Sequence, residues 1–136
     1  MTSLGGDGGR ILVIDEAKTT GDSLGLILQS SGYNVSVVYN ADEALTETQA
    51  GSFDLVIADI RVPTVDSVEI LRQIKQQDAD IVVILTTDYP TLETVIKAIR
   101  YDAYDYLIKP LEKAEVLAIV GEGLRKRQSL LANRSG

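Results

Sequence analysis

The segment FDLVIADIRVP, Phe53–Pro63, decides how the rest of the chain is interpreted. Its apolar run, Leu55–Ala58, has the composition of a strand that is buried on both faces of a parallel sheet. Asp59 follows at once, where the apolar run stops. A charged side chain at the end of a core strand needs a chemical explanation.

Four more runs of similar character surround this segment, and the starts of successive runs lie 20 to 26 residues apart. They are Ile11–Ile14, Val35–Val38, Ile81–Leu85 and Tyr104–Ile108. Each gap is long enough for one helix and carries apolar residues at helical spacing. One such set is Leu92, Val95, Ile96 and Ile99. This fivefold alternation predicts parallel strands joined by right-handed crossovers, with five helices on the two faces of one sheet.

Strand composition also predicts the order of the strands in the sheet. The second and fifth runs contain polar residues, which is typical of edge strands, whereas the other three are continuously apolar. The order 2-1-3-4-5 satisfies this pattern and is that of a flavodoxin-like, doubly wound α/β fold. Ligands in such sheets bind beyond the carboxyl ends of the strands. The residues that follow each run are therefore the candidates for function.

The composition excludes several functions. The chain has 136 residues, 45% of them hydrophobic, which suits a single domain with a substantial core. Its formal net charge of -7 argues against a nucleic-acid-binding surface. Because it contains neither cysteine nor histidine, it has no disulfide, no thiolate metal site and no Ser-His-Asp triad, and we expect a reducing compartment, the cytoplasm. Its apolar runs are far shorter than the roughly 18 residues of a membrane span.

Polar residues of complementary chemistry follow four of the five runs. They are Asp15 and Glu16, Asp59, Thr86 and Thr87, and Lys109, which Pro110 follows. Any one aspartate in such a place can be an ordinary turn former or helix cap. Three carboxylates together require a cation, because two unit charges about 4 Å apart repel by about 4 kcal/mol at an effective dielectric of about 20. Oxygen ligands without cysteine or histidine indicate a hard ion, Mg²⁺ before Mn²⁺.

Four short motifs stand in order at these strand ends. They are VIDE at Val13–Glu16, DIRVP at Asp59–Pro63, LTT at Leu85–Thr87 and DYLIKP at Asp105–Pro110. Together they resemble the landmarks of the response regulator receiver domain of two-component signalling. The resemblance covers residues 10–125, whereas 1–9 looks like a flexible leader and 126–136 like a helical extension or linker to an output domain. The segment DAYDYLIKPLE is most similar to receivers that precede a central ATPase module in transcription activators.

The resemblance implies a role for each matching residue. Asp59 would accept a phosphoryl group as a nucleophile. The ligands of Mg²⁺ would be Asp15, Glu16, Asp59 and the backbone carbonyl of Arg61. The residues that stabilise the phosphoryl group would be Lys109, Thr86 and Thr87, and the switch residues would be Thr86 and Tyr106. Pro110 matches a family position whose preceding peptide bond is cis.

The same resemblance implies the partners. The phosphoryl donor would be a sensor histidine kinase or a phosphotransfer protein, and an output domain would lie in the same chain. A homodimer would form through the fourth helix, fifth strand and fifth helix, and this segment would bind neither nucleic acid nor membrane. The domain would be a switch rather than an enzyme, limited to self-phosphorylation from a donor and slow autodephosphorylation. The alternative is a receiver-like adaptor that binds its partners without phosphorylation.

The chain departs from the family pattern at several positions. Glu16 replaces the commoner aspartate, and threonine and serine stand at 64 and 67, where the family often has glycine. Arg61 and Asp88 should overhang the crevice, where we expect them to pair and shield the acyl phosphate from water. We expect the basic triplet RKR, residues 125–127, to be a solvated helix end.

Overall fold

The computed structural model describes residues 9–59, 66–100 and 102–135, in which five strands and five helices alternate. The strands are β1 (Arg10–Ile14), β2 (Asn34–Val38), β3 (Leu55–Asp59), β4 (Val82–Thr87) and β5 (Asp105–Ile108). The helices are α1 (Lys18–Gln29), α2 (Ala41–Ala50), α3 (Asp66–Gln77), α4 (Leu92–Arg100) and α5 (Lys113–Ser135). None of these helices is long and apolar enough to cross a membrane.

The strands form one parallel sheet in the order β2-β1-β3-β4-β5, which confirms the predicted fold. The central strands β1, β3 and β4 are almost entirely buried, and the edge strands β2 and β5 are partly exposed, as their compositions predict. The strand order reverses between β1 and β3. This switch point opens a crevice at the carboxyl edge of the sheet.

Two apolar clusters hold helices on opposite faces of the sheet. One face packs against α1 and α5, through residues such as Leu28 and Val120, both fully buried. The other face packs against α2, α3 and α4, through residues such as Ala44 and Ile74. Because alternate residues of β1, β3 and β4 point to opposite faces, the continuous apolar runs serve both clusters.

Two central strands extend further toward the carboxyl edge than predicted. β3 includes Asp59, and β4 starts at Val82 instead of Ile81 and continues through Thr86 and Thr87. The strands continue because backbone pairing continues: Asp59 lies in register with Thr86, and Thr87 with a residue of β5. Backbone pairing within the sheet therefore fixes the positions of Asp59, Thr86 and Thr87.

The apolar spacing of α4 predicts the helix correctly but not the side that is buried. Leu92 and Ile99 are each 75% exposed, whereas the buried residues of α4 are Thr94 and Ala98. The larger apolar residues of α4 therefore face outward.

The basic triplet in α5 is only partly the solvated end that the sequence predicts. Arg125 and Lys126 are exposed, but Arg127 is buried. Arg127 follows Val116, Val120 and Leu124 at helical spacing, so it lies on the side of α5 that faces the domain. The prediction was wrong for Arg127 because the helix continues past the triplet through Ser135.

Candidate functional site

Three of the predicted site residues meet at the carboxyl edge of the sheet. Asp15 follows β1, Asp59 ends β3 and Lys109 follows β5. The Lys109 Nζ lies 3.1 Å from Asp15 Oδ2 and 2.9 Å from Asp59 Oδ2. The side chains of both aspartates are only 3% exposed. One ammonium therefore bridges two buried carboxylates, and we call these three residues the carboxyl-edge cluster.

The backbone around this cluster restrains two of its members. Asp15 Oδ1 accepts a hydrogen bond of 2.8 Å from the Ala17 N–H, and the Asp15 N–H donates to the Val38 carbonyl at 3.1 Å. The Lys109 N–H donates to the Thr87 carbonyl at 2.8 Å, and the peptide bond between Lys109 and Pro110 is cis. The sequence could not reveal the Ala17 contribution, because a backbone donor leaves no mark in residue type. These hydrogen bonds restrain Asp15 and Lys109.

Burial and mutual attraction both act on the charges of the cluster. Burial raises the pKa of the Asp15 carboxyl above 3.8, although the Ala17 amide and the Lys109 ammonium oppose this shift. Burial alone would lower the pKa of Lys109, but its hydrogen bonds to Asp59 and Asp15 raise that pKa above 10.5. Lys109 is thus held protonated. Two carboxylates against one ammonium leave one net negative charge in a poorly hydrated place, which suits an incoming cation.

The two threonines of β4 lie beside this cluster and differ in their bonding. Thr86 is 2% exposed and in register with Asp59 on the neighbouring strand, so the two side chains share a face of the sheet. The Thr87 hydroxyl accepts a hydrogen bond of 3.2 Å from the Tyr89 N–H and so shapes the loop after β4. Tyr106 lies on β5, in register with Leu85 of β4, and its side chain is half-buried against the core.

The remaining predicted residues lie outside this cluster or outside the described residues. Glu16 and Asp88 are exposed. Arg61 lies outside the described residues, so its carbonyl ligation and its pairing with Asp88 stay predictions. Within residues 9–59, 66–100 and 102–135, no group of three or more carboxylates is arranged to hold a metal ion. In this part of the chain, the buried carboxylate oxygens at this edge of the sheet are those of Asp15 and Asp59.

A doubly wound parallel sheet whose switch point holds two aspartates bridged by a lysine defines the class of protein, a receiver domain. A family model described as "Response regulator receiver domain" matches residues 11–121. The chain belongs to this family of two-component signalling, which confirms the resemblance seen in its four motifs.

The comparisons extend to full-length regulators and to solved structures. Transcriptional regulatory protein ZraR of Salmonella typhimurium is 35% identical over 102 residues, which are 75% of this chain and 23% of that protein. A CheY-like receiver domain protein from Methanospirillum hungatei superposes with a TM-score of 0.82 at 28% identity, covering 88% of this chain and 96% of that one. The beryllofluoride-activated NtrC4 receiver domain dimer gives a TM-score of 0.79 at 29% identity, covering 87% and 98%. The chain thus spans about a quarter of the length of ZraR.

Proposed function

We propose that this domain is a signalling switch activated by phosphorylation of Asp59. The observation that carries the proposal is the contact of 2.9 Å between Lys109 Nζ and a buried oxygen of Asp59 at the switch point of the sheet. A buried carboxylate with a fixed cation beside it is placed to receive a charged group in the crevice and to have that charge stabilised.

The transfer would use Asp59 as the nucleophile. One carboxylate oxygen attacks the phosphorus of a phosphohistidine, the phosphorus–nitrogen bond breaks, and the imidazole leaves with the bonding electron pair. The histidine must belong to a partner, a sensor histidine kinase or a phosphotransfer protein, because this chain has none. Phosphoryl transfer depends mainly on positioning and charge neutralisation, and Lys109 supplies both.

The site also fits Mg²⁺, with Mn²⁺ as a substitute. Asp15 and Asp59 offer hard oxygen ligands, and the net negative charge of the carboxyl-edge cluster favours a cation. Glu16 and the Arg61 carbonyl would complete the ligands, as the family resemblance implies. When bound, Mg²⁺ would neutralise the charge of the phosphoryl oxygens, and the Lys109 ammonium would add a second positive charge beside Asp59.

The switch would start at β4 and reach the surface through β5. Thr86, in register with Asp59, would donate its hydroxyl proton to a phosphoryl oxygen, and the Thr87 hydroxyl accepts a hydrogen bond from the adjoining loop. Movement of β4 toward the site would change the packing of Tyr106, which lies on the neighbouring strand. Phosphate biases such a two-state equilibrium by the contacts it makes in only one state. Arg61 and Asp88 would shield the phosphoryl group and prolong its lifetime.

The output surface would be the face of α4, β5 and α5. Its exposed apolar residues include Leu92, Ile96, Ile99 and Ile108. The NtrC4 receiver is a dimer in its activated form, and we propose a homodimer through this face. Because ZraR is a transcriptional regulatory protein, we propose a transcriptional output domain in the same chain, with a central ATPase module, in the cytoplasm.

The test is the intact mass of the folded chain after incubation with acetyl phosphate and Mg²⁺. We expect one phosphoryl adduct in the native protein and in Asp42→Asn, a control that removes an exposed carboxylate of α2. Asp59→Asn should give no adduct, and removal of the metal should suppress it. No adduct in the folded native protein with any phosphodonor would contradict the proposal and favour an adaptor that works without phosphorylation.

A further inference from the structure

A second set of charged residues lies at the opposite, amino edge of the sheet. Arg127 of α5 is 7% exposed. Its Nε lies 3.1 Å from Asp54 Oδ1, and its Nη1 lies 2.8 Å from Asp78 Oδ2. We call Arg127, Asp54 and Asp78 the amino-edge cluster. It connects the second half of α5 to the start of β3 and to the turn that follows α3.

Both carboxylates of this cluster are held by the backbone as well. Asp54 Oδ2 accepts a hydrogen bond of 2.9 Å from the Arg10 N–H at the start of β1. The Asp54 carbonyl accepts from the Val82 N–H at the start of β4. Asp78 Oδ1 accepts from the Asp80 N–H at 3.0 Å. Arg127 therefore binds where three strand starts and the α3 turn already meet.

A second arginine repeats this contact two helical turns further along. Arg134 forms an ion pair with Asp80, a buried carboxylate next to the same turn. Arg127 and Arg134 lie on one face of α5, because seven positions are about two turns. The stripe that begins with the apolar residues Val116, Val120 and Leu124 thus continues as a stripe of two arginines.

The two halves of α5 are therefore held by different forces. Up to Leu124 the helix is held by burial of its apolar side chains against the sheet. Gly123 lets the helix lie close to β3, since a Cβ at this position would lie 2.9 Å from Leu55 Cδ1. Among residues 125–134, Arg127 is the one buried side chain. A helical segment of this length is marginal without tertiary contacts. The ion pairs of Arg127 and Arg134 are therefore central to its attachment, beside the half-buried Leu130.

We propose that the pairs of Arg127 with Asp54 and Asp78, and of Arg134 with Asp80, form an ionic latch that docks the second half of α5 on the receiver. Release of the latch frees residues 125–135 while the domain stays folded. The latch therefore sets the direction in which any following chain leaves the domain. It needs no phosphoryl group and is distinct from the switch proposed above.

The charge state of the cluster supports this role. Burial would lower the pKa of Arg127, but its contacts with Asp78 and Asp54 raise that pKa above the usual value of an arginine, so the guanidinium stays charged. Arginine suits the position because its planar fork reaches two carboxylates at once. Strong salt should weaken the exposed Arg134 pair first, since screening acts most on charges in contact with water.

Hydrogen–deuterium exchange of the unphosphorylated chain tests the latch. Arg127→Gln should speed exchange of the amides in 128–134 by about tenfold or more, equivalent to about 1.4 kcal/mol. The amides of β1, β3 and β4 should stay protected. Arg125→Gln is the matched control, because it removes the same charge from an exposed position two residues away. Its exchange pattern should equal that of the native protein.

Two further conditions keep the test decisive if Arg127→Gln unfolds the domain. Arg134→Gln should speed exchange only in the last turns of α5, and about 1 M sodium chloride should do the same in the native protein. Unchanged exchange in 128–134 under both conditions would overturn the latch. Protection of 128–134 equal to that of β1, β3 and β4 would also overturn it, because the segment would then open only when the whole domain unfolds.

Discussion

The two ends of β3 carry two charge clusters that look alike but differ in chemistry. At each end one cation lies between two aspartates, Lys109 in the carboxyl-edge cluster and Arg127 in the amino-edge cluster. The aspartates of the carboxyl-edge cluster are 3% exposed, whereas Asp54 and Asp78 are 32% exposed. Arg127 has the rigid fork of a structural bridge, whereas Lys109 is a compact point charge that can follow a moving partner.

This difference teaches how to separate a reactive cluster from a structural one. In the amino-edge cluster the carboxylates can reach water and accept backbone hydrogen bonds, so removal of the cation leaves them partly solvated. In the carboxyl-edge cluster the carboxylates are sequestered and the net charge is negative, so the site gains by binding a cation. The pKa directions agree with this: that of Asp15 is raised, and that of Asp78 is lowered.

Replacement of the two cations should separate the clusters most strongly in phosphorylation. Lys109→Gln removes a fixed positive charge from the proposed transition state, so the rate of adduct formation should fall by about 10²–10³. Arg127→Gln changes the cluster at the other end of β3, so its rate should stay within about twofold of the native rate. The measurement is the time course of intact mass with acetyl phosphate. Equal losses of rate in the two variants would mean that the two clusters do not differ in their contribution to phosphorylation.

The same pair of variants should differ in stability and in its response to metal. Without metal, Lys109→Gln leaves two buried carboxylates facing each other, and the free energy of unfolding should fall by about 3 kcal/mol. Arg127→Gln should lower it by about 1–3 kcal/mol. Mg²⁺ should restore part of the loss in Lys109→Gln only. Urea unfolding followed by circular dichroism, with and without Mg²⁺, measures the stability of both variants. A gain of stability with Mg²⁺ in Arg127→Gln would contradict the assignment of the metal site to the carboxyl-edge cluster.

Acid should weaken the amino-edge cluster through Asp78. Burial alone would raise the pKa of Asp78, but the hydrogen bond and charge of Arg127 and the Asp80 amide hold it below 3.8. A carboxyl whose pKa is lower in the folded state stabilises the fold above its unfolded pKa, and this contribution disappears as the pH falls through the folded value. The loss therefore lies below pH 3.8. Unfolding free energies at about pH 5 and about pH 3 should differ less in Arg127→Gln than in the native protein. An equal acid dependence would exclude Asp78 as its source.

The smallest effect should come from Arg127→Lys. This change keeps the charge but loses the fork that reaches Asp54 and Asp78 together, so the free energy of unfolding should fall by about 0.5–1.5 kcal/mol. The loss should be smaller than that of Arg127→Gln in the same urea titration. If lysine were as damaging as glutamine, charge would not be what holds this end of α5.

Much of the site was predictable because parallel strands collect their following residues at one edge. Asp15, Asp59 and Lys109 were identified by position after apolar runs, and the structure brings these three together. Thr86 was identified by position too, but it lies inside β4, because backbone pairing extends past the apolar run. Glu16 was grouped with the aspartates by adjacency, and it is exposed. Adjacent residues can point in different directions once a strand ends.

Other features could not be predicted from the sequence, because they depend on which residues pack against a side chain. The apolar spacing of α4 is the same whether the stripe faces the core or the surface, and Leu92 and Ile99 face outward. Arg127 reads as one of three basic residues at a helix end, and its burial follows from Asp54 and Asp78, distant in sequence. Neither choice is a local property of the chain.

The sequence by itself determined the alternation of strands and helices, the strand order and the edge where chemistry is expected. These follow from local periodicity and from the rule that parallel strands need crossovers, so they require no knowledge of contacts. The tertiary structure alone decided that Lys109 bridges two aspartates, that α4 exposes its apolar side, and that Arg127 is buried beside Asp54 and Asp78. Those outcomes depend on burial and on charges brought together from distant segments, and the energy of a charge is set by its surroundings rather than by its neighbours along the chain.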